Sequence, residues 1–108
     1  MTAPASAPLT RGRVYHADLG AGDKPYLVVS NNGRNRNLRS ALVVRITTST
    51  KPRLESIVEL ASGDPLVGRV LCDDVTVLYA DEVKRDGGAL TTATMMRVAA
   101  GLRAALAL

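Results

Sequence analysis

The chain has 108 residues, of which 46% are hydrophobic, and this is the size and composition of one ordinary domain with a compact core. One cysteine and one histidine exclude an internal disulfide and a tetrahedral zinc site of such residues, so no metal or other cofactor is expected. The net charge of +4 indicates mild attraction to polyanions. Since no apolar run approaches the roughly 20 residues that cross a bilayer and no secretion signal opens the chain, a cytoplasmic location is expected.

The predicted elements are mainly strands. Residues 1–10 (MTAPASAPLT) have no charge and no hydrophobic period, which predicts a disordered leader before a single domain at 11–108. The runs of β-branched and apolar residues predict strands at 13–19, 25–31, 41–48, 55–60 and 69–78. A connection rich in Asn, Gly and Arg, residues 31–40, joins the second and third strands, and the last strand is expected to bend near Asp73 and Asp74.

Only the end of the chain shows helical periodicity. Thr91 or Thr92 is a suitable cap for a helix that continues to Leu106. The apolar residues expected on one face of this helix, against the core or a second copy, are Met95, Val98, Ala99, Leu102 and Leu106. Short strands followed by one helix predict a mainly β fold, a small curled antiparallel sheet or barrel closed by a C-terminal helix.

The charges are unevenly distributed along the chain. The segment 24–53 contains no acidic residue, whereas the rest of the chain has seven basic and ten acidic residues. The basic residues of this acid-free segment are Lys24, Arg34, Arg36, Arg39, Arg45, Lys51 and Arg53. Such segregation favours a surface that binds phosphates; the alternative is a solvated basic loop.

The second and third strands are expected to pair as a hairpin. With Ser30 opposite Ala41, Lys24 lies opposite Thr47, and an ammonium and a hydroxyl on directly opposed residues are close enough to address one phosphate. Period two places the run at positions 42, 44 and 46 on an apolar face and turns Arg45 and Thr47 to the outer face.

Four segments, in this order, resemble the MazF/PemK (Kid-like) toxins of bacterial toxin–antitoxin pairs. They read RGRVYHADLG, KPYLVVSNN, ALVVRITTS and VLCDDVTVL, and the match extends from Arg11 to Val83. The resemblance implies an SH3-like barrel of the MazF/CcdB type, a homodimer, and metal-independent, sequence-specific cleavage of single-stranded RNA. It also implies attack by the RNA's own 2′-hydroxyl, which leaves a 2′,3′-cyclic phosphate and a 5′-hydroxyl, and an antitoxin whose acidic disordered tail silences the toxin.

The resemblance also assigns residues to the site. The family's catalytic threonine falls on Thr47, and its catalytic arginine, before the proline of the second strand, falls on Lys24. Lysine supplies a point charge and lacks the guanidinium fork, which Arg45 or Arg69 is the candidate to provide. The aspartate of the family's L-C-D-Q strand falls on Asp73, and Asp74 replaces the glutamine. The residues expected to contact RNA are Asn31, Arg45, Thr48, Ser49, Lys51, Arg69 and Asp73.

Three further residues need interpretation, and one of them, His16, has two. His16 is either a general base that touches substrate or a packed, hydrogen-bonded strand residue, and a lone cysteine on an apolar strand, Cys72, is usually part of the core. Gly101 and the alanines around it would allow the last helix to pack closely on a partner. Two rival functions therefore stay open, a non-catalytic toxin of the same superfold that binds a DNA topoisomerase and a plain nucleic-acid-binding barrel.

Overall fold

A six-stranded antiparallel sheet, two α-helices and a short 3-10 helix at Ala80–Glu82 make up the computed structural model, which describes residues 8–108. The strands are β1 (Arg13–Asp18), β2 (Asp23–Val28), β3 (Ser40–Thr47), β4 (Ile57–Glu59), β5 (Arg69–Tyr79) and β6 (Val83–Ala89). The helices are α1 (Asn32–Leu38) and α2 (Thr92–Leu106). The strand order is β4-β5-β3-β2-β1-β6, and the mainly β class with a C-terminal helix is confirmed.

Positions 1–7 of the expected leader lie outside the described residues. The last part of the leader is ordered. Leu9 is 4% exposed and packs with Tyr15 in the core, because its side chain covers apolar surface on β1. The expectation of disorder is therefore wrong at Leu9, and the ordered domain begins before Arg11.

The β2–β3 hairpin has the predicted register. Tyr26 pairs with Arg45 and Val28 with Val43, so that the numbers of each pair sum to 71, as for Ser30 with Ala41. A polar bridge at the far end of the hairpin supports this register. The Ser30 hydroxyl accepts a hydrogen bond from the backbone N–H of Leu42 at 2.8 Å.

The connection between β2 and β3 contains α1, which the sequence pattern did not predict. Asn31 caps this helix by accepting a hydrogen bond from the Arg34 N–H at 3.0 Å. The buried Asn35 joins the helix to Ser30, whose carbonyl accepts from its Nδ2 at 3.0 Å. Because α1 is held by a buried amide and not by an apolar stripe, hydrophobic periodicity gives no sign of it.

Both faces of the sheet bury apolar side chains. On the helix-covered face, Val44 and Ile46 belong to the core beneath α2, as predicted. Leu42 shares that face but is 36% exposed, because it lies beyond the area that the core cluster covers. The opposite side of β3 is not simply solvated, since Val43 is fully buried in a second cluster with Tyr26. We call this side, which also carries Arg45, the second face.

Helix α2 begins and ends as predicted. The Thr91 hydroxyl accepts from the Thr94 N–H at 3.2 Å, and Val98 is fully buried against the sheet. Leu106 is 52% exposed, so the core of this chain does not cover the last position of the predicted stripe. A Cβ at Gly101 would lie 2.8 Å from Cys72 Sγ, so this glycine serves close packing within the chain. Gly101 therefore gives no support to a partner on this side of the helix.

Irregular pairing bends β5 where the bend was predicted. Val44 pairs with Val75 but Arg45 pairs with Leu71, so residues 72–74 form a bulge opposite β3. Strand β6 was missed by sequence reasoning because its run, VKRDGGA, has no apolar alternation. Neither helix in the described part of the chain has the length and apolarity needed to cross a membrane.

Candidate nucleic-acid site

Lys24 and Thr47 lie on the second face, at the ends of neighbouring strands. Lys24 shares that face with Tyr26, and Thr47 shares it with Arg45, because side chains alternate along a strand. The β2–β3 ladder ends at Tyr26 and Arg45, two residues short of Lys24 and Thr47. The expected direct pairing is therefore wrong in one respect: the register is right, but no ladder bonds hold the two residues together. Their spacing depends on how each strand end is supported.

Thr47 has a hydroxyl that is available to donate. Its Oγ1 accepts a hydrogen bond from the Ser49 N–H at 3.1 Å, which orients the side chain at the end of β3. This bond uses an oxygen lone pair and leaves the hydroxyl proton unused. Thr47 is only half-buried, so a phosphate oxygen has access to this donor.

Arg45 and Arg69 were the two candidates for the guanidinium fork, and the structure distinguishes them. The Nε of Arg45 is buried and has no hydrogen-bond partner among residues 8–108. Arg69 is paired with the carboxylate of Glu59 and donates to the carbonyl of Ser49 at 3.3 Å. Since the guanidinium of Arg69 is already used to hold the chain, Arg45, which shares the second face with Lys24 and Thr47, is the remaining candidate for the fork.

Tyr26 is a residue of this site that sequence reasoning missed. It is 5% exposed and pairs with Arg45 across the hairpin. Burial raises the pKa of its phenol; the Arg45 charge lowers it, and the carboxylates of Asp74 and Asp18 raise it. Tyr26 is two residues from Lys24 on the same strand, so side-chain alternation puts both on one face. This pattern was enough to identify Tyr26 from the sequence.

A groove beside Thr47 contains several of the residues expected to contact RNA. Arg69 pairs with Thr47 in the β3–β5 ladder, and from there a cavity of about 650 Å³ extends along residues 51–55. Lys51 and Arg69 line it together with Glu55 and Glu59. A smaller hollow of about 270 Å³ adjoins it and includes Thr48. The groove thus carries charges of both signs, not the purely basic lining that segment 24–53 suggested.

One of the expected contacts, Asn31, lies elsewhere and has another task. Asn31 follows the far end of β2 from Lys24, and its side chain is used to cap α1. The exposed Arg36 of α1 is also at that end, so the acid-free segment divides its basic residues between the two ends of the hairpin. The structure therefore does not bring Asn31 together with Lys24 and Thr47, because the whole length of β2 separates them.

Of the remaining candidates, Asp73 lies near Arg45, whereas His16 and Cys72 lie on the helix-covered side of the sheet. Asp73 is exposed in the β5 bulge, near the Arg45 end of β3. His16 lies on the helix-covered side of β1, away from Lys24, and its Nδ1 is 3.3 Å from Arg85 Nη2. Cys72 is fully buried in the core as predicted, and burial raises its pKa to about 11. Within residues 8–108, no three His, Cys, Asp or Glu side chains form a group that could hold a metal ion.

Comparison with known proteins gives consistent matches over nearly the whole chain. Residues 10–106 match the family model described as PemK-like, MazF-like toxin of type II toxin–antitoxin system. Two curated relatives, endoribonuclease MazF1 of Mycobacterium bovis and endoribonuclease MazF4 of Mycobacterium tuberculosis, are each 44% identical over 95% of this chain and 96% of their own length.

Solved structures give the same result for the fold. A mycobacterial endoribonuclease in complex with its cognate antitoxin superimposes with a TM-score of 0.89 at 44% identity, covering 94% of this chain and 97% of that one. A MazE–MazF complex from Deinococcus radiodurans has a TM-score of 0.80 at 18% identity, covering 94% and 98% of the two chains, and shows the shared fold.

Proposed function

Because the chain belongs to the PemK-like, MazF-like family of toxins of type II toxin–antitoxin systems, we propose that it is an endoribonuclease. It cuts single-stranded RNA at short specific sequences in the cytoplasm, without a metal ion. Relatives at 44% identity carry the name endoribonuclease, and this similarity covers 95% of the chain.

The proposed reaction is an internal transesterification of RNA. The 2′-hydroxyl attacks the adjacent phosphorus, the bond to the 5′-oxygen breaks, and the products are a 2′,3′-cyclic phosphate and a 5′-hydroxyl. Lys24 stabilises the charge that develops on the phosphoryl oxygens and protonates the leaving 5′-oxygen, and Thr47 orients the phosphate. Asp73 and Asp74, in the bulge next to Arg45, are the candidates to accept the 2′-hydroxyl proton.

One observation carries this assignment to residues: Lys24, Arg45 and Thr47 share the second face at the point where the β2–β3 ladder ends. Neither basic side chain there forms an ion pair within residues 8–108. Two cations without ion-pair partners and a hydroxyl donor on one face suit the two non-bridging oxygens and the leaving 5′-oxygen of a phosphodiester in its transition state.

The test is cleavage of end-labelled single-stranded RNA by the purified protein in the presence of EDTA. Thr47→Ala and Lys24→Ala should each lower the rate about a hundredfold or more, as loss of one transition-state donor does. Thr76→Ala and Lys84→Ala are matched controls on exposed positions of β5 and β6 and should cleave like wild type. RNA with a 2′-deoxy sugar at the cut site should resist cleavage.

Several outcomes would contradict the proposal. Absence of cleavage across a random RNA pool would favour a topoisomerase-binding toxin or a plain nucleic-acid-binding barrel. Wild-type rates in folded Thr47→Ala or Lys24→Ala protein would remove that residue from the site. A 3′-hydroxyl end on the upstream product would exclude attack by the 2′-hydroxyl.

We further propose that an antitoxin with an acidic disordered tail covers the same groove and competes with RNA. A similar mycobacterial endoribonuclease is solved in complex with its cognate antitoxin. Lys51 and Arg53 line the groove beside the apolar Leu54 and Ile57, a surface suited to a tail that carries both acidic and apolar residues. Titration of the antitoxin against bound, uncleavable RNA should displace the RNA; a ternary complex would show separate sites.

A homodimer is the third part of the proposal. Four large apolar side chains are partly exposed on the helix-covered face of β3 and β5, beyond the core. They are Leu42 at 36%, Val75 at 39%, Val77 at 36% and Tyr79 at 54%. The cross-strand pairs Leu42–Val77 and Ser40–Tyr79 make this a continuous stripe, which a second copy of the chain would bury.

A further inference from the structure

Three polar side chains form a cluster on the side of β1 that faces away from Lys24. Arg85 of β6 donates from Nη1 to Asp23 Oδ2 at 2.9 Å. His16 of β1 lies between them, with its Nδ1 3.3 Å from Arg85 Nη2 and 3.7 Å from Asp23 Oδ1. Since the strand order is β2-β1-β6, the ion pair between Asp23 and Arg85 crosses over β1 and ties its two neighbours together.

Gly87 gives the cluster its space. A Cβ at Gly87 would lie 3.0 Å from His16 Nε2 and 3.3 Å from Val14 Cγ1, so the imidazole lies against the backbone of β6 at this point. The ring therefore has a defined position below the ion pair. The β1–β6 ladder shifts register between His16 and Ala17, directly beside the imidazole.

The start of β2 has few other supports. Its ladder with β3 ends at Tyr26, and Pro25 has no N–H to donate. Ala17 and Asp18 of β1 pair with Lys24 and Asp23, so β1 is the one strand that holds this segment in the ladders of the described residues. The ion pair to Arg85 is a second, independent tie, and it acts on the residue next to Lys24.

We propose that Arg85 is a positioning residue for the cleavage reaction, acting through Asp23. By holding Asp23 across β1, it fixes the start of β2 at the separation from β3 at which Lys24 and Thr47 address one phosphate. This inference rests on the proposed function. Arg85 itself lies on β6, with β1 between it and Lys24, and it does not touch the RNA.

The proposal differs from a simple stabilising role in what it predicts. The side chains of Arg85 and Asp23 are 59% and 37% exposed, and ion pairs with such exposure contribute little to global stability. Misplacement of a reacting group by about 1 Å, in contrast, is enough to lower a rate as much as a hundredfold. The pair should therefore affect kcat while the thermal unfolding midpoint stays close to that of wild type.

The experiment compares two single variants, Asp23→Asn and Arg85→Gln, with a double variant that reverses both charges, Asp23→Arg combined with Arg85→Asp. Each single variant should lower kcat about tenfold with KM for RNA changed less than about threefold, and the reversal should recover most of kcat. Asp23→Asn is the sharpest case: removing a negative charge beside the site favours RNA binding, so electrostatics alone predicts no loss of rate.

Arg13→Gln is the matched control. It breaks the Arg13–Asp86 ion pair, whose Nε–Oδ2 distance is 2.9 Å and which joins β6 to β1 instead of β2. Its kcat should equal that of wild type. An equal loss in this control, unchanged kcat in both single variants, or no recovery in the reversed pair would overturn the inference while cleavage by wild type stands. Failure of wild type to cleave would instead overturn the proposed function.

Discussion

At the scale of single residues, the proposed site takes a compact ammonium from one residue, Lys24, and a planar guanidinium from another, Arg45. Lys24 supplies a compact ammonium before Pro25, and Arg45 is the guanidinium with an unpartnered Nε among the described residues. Arg69 has a structural task instead, because it is paired with Glu59. In the proposed arrangement, the ammonium of Lys24 at one strand end and the guanidinium of Arg45 on the neighbouring strand would hold a phosphate together.

Substitution of Lys24 by different side chains should separate charge from geometry. Lys24→Arg should keep appreciable cleavage because the positive charge stays, whereas Lys24→Gln should lose about a hundredfold in rate. The measurement is kcat on a single-site RNA oligonucleotide, with circular dichroism to verify folding. A glutamine variant as fast as wild type would show that charge at this position is irrelevant.

At the scale of elements, one carboxylate anchors the start of α2 to the loop between β4 and β5. Asp64 accepts hydrogen bonds from the Ala61 N–H at 2.7 Å, the Thr91 N–H at 2.8 Å and the Thr94 hydroxyl at 2.7 Å. Burial alone would raise the pKa of Asp64, but these hydrogen bonds to its ionised form outweigh burial and lower it. The ionised form is thus the one that the fold prefers.

Loss of this anchor should cost more at neutral pH than in acid, because only the ionised carboxylate gains the full benefit of the three donors. Asp64→Ala should lower the free energy of unfolding by about 1–3 kcal/mol at pH 7, because three donors lose their acceptor. A lowered folded pKa gives stability that is full above the unfolded value near 3.8 and disappears as the pH falls through the folded pKa. Urea unfolding at pH 7 and pH 3 measures this. Asp81→Ala, on an exposed turn, is the control and should change stability by less than about 0.5 kcal/mol.

The sequence predicted elements wherever hydrophobic alternation determines them. The register of β2 with β3 follows from two matched apolar runs, and the α2 start follows from the Thr91 cap. Helix α1 and strand β6 were missed because neither has an apolar pattern. Buried amide contacts of Asn35 hold α1, and pairing with β1 holds β6.

For the site, sequence placed Lys24, Arg45 and Thr47 on one face, and the structure does the same. Three facts required coordinates. The ladder ends before Lys24, Arg69 is used by Glu59, and Asn31 is used by α1. The end of the ladder and the Arg69–Glu59 ion pair depend on how the strands pack together, for which a single sequence has no local signal. The Asn31 cap is a local contact, but it belongs to a helix that has no apolar periodicity to reveal it.

At the scale of the whole molecule, the basic residues of segment 24–53 do not form one surface. Three phosphate contacts from Lys24, Arg45 and Lys51 predict a slope of about −2 for log K against log salt in single-stranded RNA, at about −0.7 per contact. Lys51→Gln should reduce the slope by about 0.7, and Arg36→Gln, on α1 at the far end of the hairpin, should not change it. Fluorescence anisotropy with uncleavable RNA measures both, and equal slopes for the two variants would contradict this map.

The apolar stripe on β3 and β5 gives a test of the dimer. Val77→Asp places a charge in the proposed contact and should shift the protein to monomers at micromolar concentration, with folding unchanged because the side chain is already partly exposed. Val67→Asp, 79% exposed in the loop before β5, is the control and should remain dimeric. Sedimentation equilibrium measures the outcome; a dimeric Val77→Asp would place the interface elsewhere.

Because Gly101 of α2 lies close against Cys72, modification of the sole thiol of the chain can measure how often α2 separates from the sheet. Cys72 is fully buried, and its pKa of about 11 keeps it protonated at neutral pH, so a maleimide reaches it only when the helix leaves the sheet. The labelling rate should therefore report the opening equilibrium of α2. Gly101→Ala should accelerate labelling strongly, because its methyl group cannot fit 2.8 Å from the sulfur. Labelling of wild type as fast as that of an unfolded chain would show that the helix does not protect the thiol.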